Sequence, residues 1–381
     1  MKSPLLIVAG EASGDNLGAA VVKALKKKEK TKYSFAGCGG INMKKTGVDI
    51  LFDIDAMATI GFLEALQNYK KLKKIAHELV IYCLEKNIKN VILIDFPGFN
   101  LHLAKLLSKK NINSYLIVSP QIWAWHYSRI KTIKKNIKAI LCLYPFELEI
   151  YQKESIQATY IGHPVLDLIK HSKISLKSKV QSLKNKFKSK KIIALLPGSR
   201  ISEIKRHLSF MVNVAAKYHQ HNQNTVFLLP TPTETIYNMV QEFDLPEYIH
   251  IIKEGSHLVL QSAEAAIACS GTITLECALF NLPHLIIYKT SLLTYWIGKL
   301  IVNLKYIGIV NIILNKLVTR EFIQFDMKIE SVYEELNKIM NNQKYKKNML
   351  SEFKKLQNVM GKSGAAENAA SYLLSNLDSN S

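Results

Sequence analysis

Short apolar runs rich in β-branched residues alternate with longer helical patterns along this chain, and that rhythm leaves little choice of fold. In the first half the runs are Leu5-Leu6-Ile7-Val8, Val91-Ile92-Leu93-Ile94, Tyr115-Leu116-Ile117-Val118, Ala139-Ile140-Leu141-Cys142-Leu143 and Thr159-Tyr160-Ile161. The second half repeats the plan with Ile192-Ile193-Ala194-Leu195-Leu196, Thr225-Val226-Phe227-Leu228-Leu229, Ile249-His250-Ile251-Ile252, Ala265 to Cys269 and Leu285-Ile286-Ile287-Tyr288. A strand buried on both faces reads as an unbroken apolar run, and strands alternating with helices form parallel sheets with crossover helices. At 381 residues the chain exceeds the size at which one core keeps growing, so two domains are expected. The lysine- and serine-rich stretch 170–190 is the natural linker. The expected fold is α/β: two Rossmann-like domains facing each other across a cleft, with C-terminal helices. Their bounds are 1–168, a linker at 169–190, 191–345, and helices at 346–381 that pack back on the N-terminal half.

Lysine and arginine number 51 against 30 acidic residues, a formal charge of +21. That excess favours an anionic partner, whether nucleic acid, an anionic membrane surface or a phosphorylated ligand, and charge alone does not choose. Cys38, Cys83, Cys142, Cys269 and Cys277 are scattered through apolar runs and read as reduced core thiols of a cytoplasmic protein. The run Leu5 to Ala9 passes at once into Gly10-Glu11, which suits a first strand better than a signal peptide. Two segments suit a membrane surface. From Met57 to Ile75 an apolar stretch runs into Lys70-Lys71 and Lys73-Lys74, and from Leu292 to Leu314 the apolar sequence is broken by Lys299 and Lys305, too soon to span. A core helix with a wet basic face is the plain alternative for both.

Each half opens with a strand, a glycine-containing turn and an amphipathic helix. In the first, Ala9-Gly10-Glu11-Ala12-Ser13-Gly14-Asp15 precedes the stripe Leu17, Ala20, Val21, Ala24 and Leu25, with Ser13 or Asp15 able to cap the helix. In the second, Leu196-Pro197-Gly198-Ser199-Arg200 precedes Ile204, Leu208, Met211, Val212 and Ala215. Gly198, Ser199 and a guanidinium together suit phosphate oxygens. A further turn, Ser270-Gly271-Thr272, follows the run Ala265 to Cys269 and points the N–H groups of the next helix at an anion. Glu276, one turn behind Thr272 on the same helix face, can accept from both hydroxyls of a ribose, or it is merely solvated. Neither of the first two turns fits the dinucleotide fingerprint or a Walker loop.

Ligands of parallel sheets lie beyond the carboxyl ends of the strands. Asp95 closes the run Val91 to Ile94 and is followed by Phe96-Pro97-Gly98-Phe99-Asn100; it is either a partly desolvated general base or a helix cap. Glu11 ends the first strand in the same way. His163, in Ile161-Gly162-His163-Pro164, reads as a hinge residue or a catalyst. Trp123 and Trp125 could wall a ligand cleft, although packing suits at least one of them. His219 and His221 lack an obvious third ligand, so no metal and no cofactor are expected. No Gly-x-Ser-x-Gly elbow supports serine chemistry.

The strings Gly10 to Asp15, Asp95 to Asn100, Val118 to Trp125, Ile161 to Pro164, Leu195 to Arg200 and Ser270 to Glu276, in this order, resemble the lipid-A-disaccharide synthase family, bacterial glycosyltransferases of the GT-B architecture. The resemblance implies inverting transfer of 2,3-diacylglucosamine from UDP to 2,3-diacylglucosamine 1-phosphate, giving a β-1,6 disaccharide 1-phosphate. It implies Asp95 as the base, with Glu11 and Arg200 also catalytic. Gly198, Ser199, Ser270, Gly271 and Thr272 would bind the diphosphate, Glu276 the ribose, and Ser13 and Asp15 the acceptor. The family works without a required metal, on the cytoplasmic face of the inner membrane, and suggests a homodimer. After Tyr306 the sequence departs from the family, with Gly308-Ile309-Val310-Asn311 in place of its Ser-Leu-Pro-Asn turn, and Asn311 keeps a binding role by position. Two other classes fit parts of the pattern: another UDP-sugar transferase or epimerase of this architecture, and a basic non-catalytic protein, which the absence of a nucleic-acid module disfavours.

Overall fold

The computed structural model describes residues 2–28, 32–57, 64–188, 190–301 and 304–377, and divides into two compact units. Unit 1 comprises Met1–Pro164 with Lys362–Ser381, and unit 2 comprises Val165–Gly361.

Unit 1 is built on β1 (Ser3–Ala9), β2 (Tyr33–Gly39), β3 (Asp49–Asp53), β4 (Asn90–Ile94), β5 (Asn113–Ile117), β6 (Ala139–Cys142) and β7 (Ala158–Tyr160). All pair in parallel in the order β3-β2-β1-β4-β5-β6-β7. Strands β1, β4, β5 and β6 run almost wholly buried because helices cover both sheet faces. Alternate residues feed two cores, Leu6, Val8, Val91 and Leu93 on one face and Leu5, Ile7, Ile92 and Ile94 on the other.

Unit 2 repeats the plan with β8 (Lys191–Leu196), β9 (Thr225–Pro230), β10 (Ile249–Ile252), β11 (Ala265–Cys269), β12 (His284–Tyr288) and β13 (Glu321–Ile323), again all parallel, in the order β10-β9-β8-β11-β12-β13. Both sheets therefore reverse direction of growth beside their first strand, between β1 and β4 and between β8 and β11. Such a reversal opens a crevice at the carboxyl ends of the two strands that flank it.

Two boundaries differ from those expected. The stretch 169–190 is mostly helical, through Pro164–Ser175 and Lys177–Lys186. Leu183 and Phe187 pack into the unit 2 core, an i, i+4 apolar pair that the surrounding lysines hide in the sequence. The C-terminal helices also divide. Gln343–Met360 buries Met349, Phe353, Leu356 and Met360 within unit 2, with the Phe353 ring 5.5 Å from that of His284. Only the final helix, Ala365–Leu377, joins unit 1, where Ala369, Ala370, Leu373 and Leu377 complete the core around Leu17 and Val21. Asn368 Nδ2 donates to the Ile161 carbonyl at 3.0 Å and the Tyr115 hydroxyl to the Asn376 carbonyl at 3.2 Å.

Of the two expected membrane segments, 57–75 has residues 58–63 outside the described residues; from residue 64 it belongs to the helix Glu64–Glu85, where Lys70, Lys71, Lys73 and Lys74 are exposed, while Met57 and Ile75 are buried. The other forms the helix Leu292–Ile301, with Leu292, Leu293, Trp296, Ile297 and Ile301 exposed, followed by a second helix, Ile309–Leu314, in which Val310 and Asn311 are buried. No described helix is long and apolar enough to cross a membrane.

Candidate functional site

In unit 1, Ala9 pairs with Ile94, so Gly10 and Asp95 leave the sheet side by side at the reversal point. Asp95 and Phe96 both take left-handed backbone, with φ of 50° and 48°. Such a conformation costs a residue with a side chain on the order of 1–3 kcal/mol, and persists where the surroundings enforce it. Here Asn100 enforces it: its Nδ2 donates to the carbonyls of Asp95 at 2.7 Å and Ile94 at 3.2 Å. The Phe96 ring fills the space above Gly10, where a Cβ would lie 2.3 Å from Phe96 Cδ1. The helix Pro97–Ser108 then begins at a proline, with Phe96 in the N-cap position. Asp95 is half-buried, and burial raises its carboxyl above the usual range, opposed by the Phe96 N–H. A carboxylate fixed at a strand end with a raised pKa suits a general base.

Glu11 and Ser13 stand exposed around the start of Ala12–Lys28, beside the same strand end. Asp15 requires a correction. It is 2% exposed, and its carboxylate accepts from the N–H groups of Gly40 at 2.8 Å, Asn42 at 3.0 Å and Met43 at 3.0 Å. Those donors are the open end of the helix Ile41–Lys45, so Asp15 caps a neighbouring helix, and at 2% exposure it presents almost no surface to an acceptor sugar. Trp123 is a packing residue, donating from Nε1 to Glu147 Oε1 at 3.2 Å and meeting Phe146 edge-on. Trp125 stays exposed, with the Arg129 guanidinium 5.2 Å from its ring. His163 is buried against Tyr144, and burial lowers its imidazole to about 4.

In unit 2, Leu196 pairs with Ala268, and the turns at Pro197 and Ser270 flank the corresponding reversal. They line a cavity of about 520 Å³ together with Glu276 and Tyr288. Gly198 has φ +122°, and a Cβ there would collide with Glu203 at 2.4 Å. Glu203 Oε2 accepts from the N–H groups of Ser199 at 3.0 Å and Arg200 at 3.2 Å, fixing the turn, while the Arg200 guanidinium, 81% exposed, stands 3.8 Å from Glu203 Oε1. Gly271 has no atom within 4 Å of its Cβ direction, so a ligand can approach its backbone. The Thr274 hydroxyl donates to the Gly271 carbonyl at 2.8 Å and the Ser270 hydroxyl to the Ile307 carbonyl at 3.3 Å, holding that turn at the head of the helix Thr272–Leu279. Glu276 meets the cavity one turn further on, its Oε2 3.2 Å from His257 Nε2.

Asn311 is the second correction. It is fully buried; Oδ1 accepts from Val318 N–H at 2.8 Å and Thr319 N–H at 3.0 Å, and Nδ2 donates to the Thr319 carbonyl and to Glu321, each at 2.7 Å. All its capacity is spent stapling the loop before β13, with none left for a ligand. His207, Glu203 and His257, which shape the cavity, were not singled out from the sequence. One signal was present: His207 lies within the apolar stripe Ile204, Leu208, Met211, where a polar side chain needs a buried partner.

Two parallel Rossmann-like sheets, one with a cavity between two anion-seeking turns, define a GT-B protein, the architecture of sugar-nucleotide transferases and epimerases. A solved UDP-GlcNAc 2-epimerase from Neisseria meningitidis, bound to UDP-GlcNAc, shares the fold at 13% identity, with a TM-score of 0.65 over 99% of this chain and 100% of that one. The family model described as lipid-A-disaccharide synthetase matches residues 5–373. Lipid-A-disaccharide synthases of Coxiella burnetii strain RSA 331 / Henzerling II and Syntrophus aciditrophicus strain SB are 36% and 35% identical, each over 96% of both chains. The chain belongs to the lipid-A-disaccharide synthase family and is a glycosyltransferase of lipid A synthesis.

Proposed function

We propose that this chain transfers 2,3-diacylglucosamine from its UDP carrier to 2,3-diacylglucosamine 1-phosphate, with inversion at the anomeric carbon, releasing UDP. Asp95 takes the proton of the acceptor 6-hydroxyl as its oxygen bonds to the anomeric carbon, while the bond from that carbon to the UDP oxygen breaks. The electron pair leaves on the diphosphate. Arg200 and the N–H groups of Gly271 and Thr272 take up that charge, and Glu276 accepts from the ribose. A single exposed helix terminus contributes about 0.3–1 kcal/mol, so these donors have to act together. Glu11 and Ser13 serve the acceptor. The observation that carries the reading is the cavity where Arg200, the Ser270-Gly271-Thr272 turn and Glu276 converge.

Both substrates carry acyl chains, so the reaction belongs at the cytoplasmic face of the inner membrane. The helix Leu292–Ile301 supports this: its exposed face carries Leu293 at 73% and Trp296 at 54% exposure, flanked by Lys299 and Lys305. Between residues 289 and 320 the sequence holds no acidic residue to oppose anionic headgroups.

Purified protein supplied in detergent with the UDP-linked diacyl sugar and the diacyl sugar 1-phosphate should yield disaccharide and UDP in equal amounts. Failure to form either product defeats the proposal, and turnover of a non-acylated UDP-sugar instead points to another enzyme of this architecture.

A further inference from the structure

His207 lies on the helix Ile201–His221, 1% exposed, beneath the cavity of unit 2. Its ring spans two strand ends. Nδ1 stands 3.0 Å from the Pro197 carbonyl at the end of β8, and Nε2 accepts from the Lys289 N–H, also at 3.0 Å, just past the end of β12. These partners dictate the proton inventory of the ring. A carbonyl can only accept, so Nδ1 carries the hydrogen; a backbone N–H can only donate, so Nε2 keeps its lone pair. The ring is therefore neutral and held as the Nδ1–H tautomer.

We propose that His207 is a positioning residue for the diphosphate seat, tying the Pro197-Gly198-Ser199 turn to the strand end at Tyr288-Lys289 through one donated and one accepted hydrogen bond. The inference rests on the proposed UDP-sugar reading of this cavity. Pro197 immediately precedes Gly198, whose φ of +122° sets the direction of the following N–H groups. A shift at Pro197 carries directly into Ser199 and Arg200. Tyr288, which lines the cavity, immediately precedes Lys289, and its ring lies 6.2 Å from that of His207. One side chain therefore fixes two walls.

A second proton would put a hydrogen on Nε2, facing the Lys289 N–H, and would break that side of the tie. Burial lowers the pKa of His207, opposed by the Pro197 carbonyl and by the Glu203 carboxylate on its own helix. From β12 the ring faces Tyr288 and the Lys289 backbone, and Cys269 at the end of β11 stands beside Tyr288. Protonation should thus begin only below the ordinary histidine range.

The test is the affinity of the full chain for UDP-N-acetylglucosamine, a diphosphate diester with no proton of its own to gain near pH 6. At pH 7.5, His207→Leu should weaken binding on the order of tenfold or more, a hydrogen-bond-sized effect, and in turnover should raise KM for the donor while leaving KM for the acceptor unchanged. The wild type should lose affinity on acidification below the ordinary histidine range, and His207→Asn should flatten that limb. Because either variant could fold poorly, nitrogen NMR of the wild type provides a second readout: the His207 ring should show the Nδ1–H tautomer, and its protonation should track the loss of affinity. Binding by a folded His207→Leu protein within twofold of wild type overturns the proposal, as does a ring in the other tautomer. A wild type that binds no UDP-N-acetylglucosamine and no UDP overturns the underlying function reading instead.

Discussion

His257 Nε2 and Glu276 Oε2 lie 3.2 Å apart, both side chains largely buried, with the Phe280 ring edge-on to the imidazole at 5.1 Å. The pair aims the carboxylate that is proposed to hold the ribose. Wild-type protein should therefore bind 2′-deoxy-UDP more weakly than UDP, by about 10- to 100-fold, the scale of a hydrogen bond to a charged group. Glu276→Ala should bind the two alike, and His257→Ala should fall between. Calorimetry decides, and an undiminished preference for UDP in Glu276→Ala removes this glutamate from the ribose.

Asp95 makes opposite predictions for rate and stability. Its folded pKa is raised, so the folded state holds a proton more tightly than the unfolded chain does. The stability this gives is complete below the unfolded value and is lost as pH rises through the folded one. Asp95→Asn has no charge to bury, so at pH 7.5 it should melt higher than wild type while turning over at least 100-fold more slowly. The acid limb of kcat/KM in the wild type should lie above the ordinary aspartate pKa. A lower melting point with normal turnover would contradict both halves.

Acid should loosen unit 2 before unit 1. Burial lowers His163 and His284 to about 4 from 6.5, so the unfolded chain binds the extra proton first and stability falls as pH drops from 6.5 towards 4. Each histidine accounts for on the order of 3 kcal/mol at full effect. In unit 1 that loss is offset by Glu147, which burial raises to about 7 from 4.5 and whose contribution grows as pH falls through that window. Unit 2 gains no such offset from a raised carboxylate among its described residues. Amide exchange compared at pH 7.5 and 5 should show protection lost first around His284, and earlier loss in the β1 to β6 sheet would refute this balance.

The exposed helix Leu292–Ile301 should dock on anionic bilayers. Leu293→Ser together with Trp296→Ser should reduce sedimentation with phosphatidylglycerol vesicles several-fold, and less so with neutral vesicles, without changing UDP affinity. Unchanged sedimentation would move the membrane contact elsewhere on the chain.

Much of this molecule is visible in its sequence for one physical reason. Strands β1, β4, β8 and β11 are buried on both faces, so their apolar runs stand out, and Asp95 and Ser270 follow them directly. What stayed hidden depends on partners distant in the chain. Asp15 read as a cap for its own helix or a contact to the acceptor because the N–H groups it caps lie 25 to 28 residues away. Asn311 looked available because its partners lie across a loop, at 318–321. The tie made by His207 needed both Pro197 and Lys289, which come together only when β8 and β12 take their places in the sheet. Lysine density concealed the helix Lys177–Lys186, since composition there outweighs the apolar pair that anchors it.

The return of the final helix to unit 1 has a consequence for biogenesis. The ribosome releases Ala369, Ala370, Leu373 and Leu377 after all of unit 2, yet they close a core begun at Leu5. The earlier half must then wait, its core incomplete, while the later half can already finish folding on the emerging chain. A premature stop just after Met360 would spare the unit 2 sheet and leave the amino-terminal one with an open wound in its hydrophobic interior.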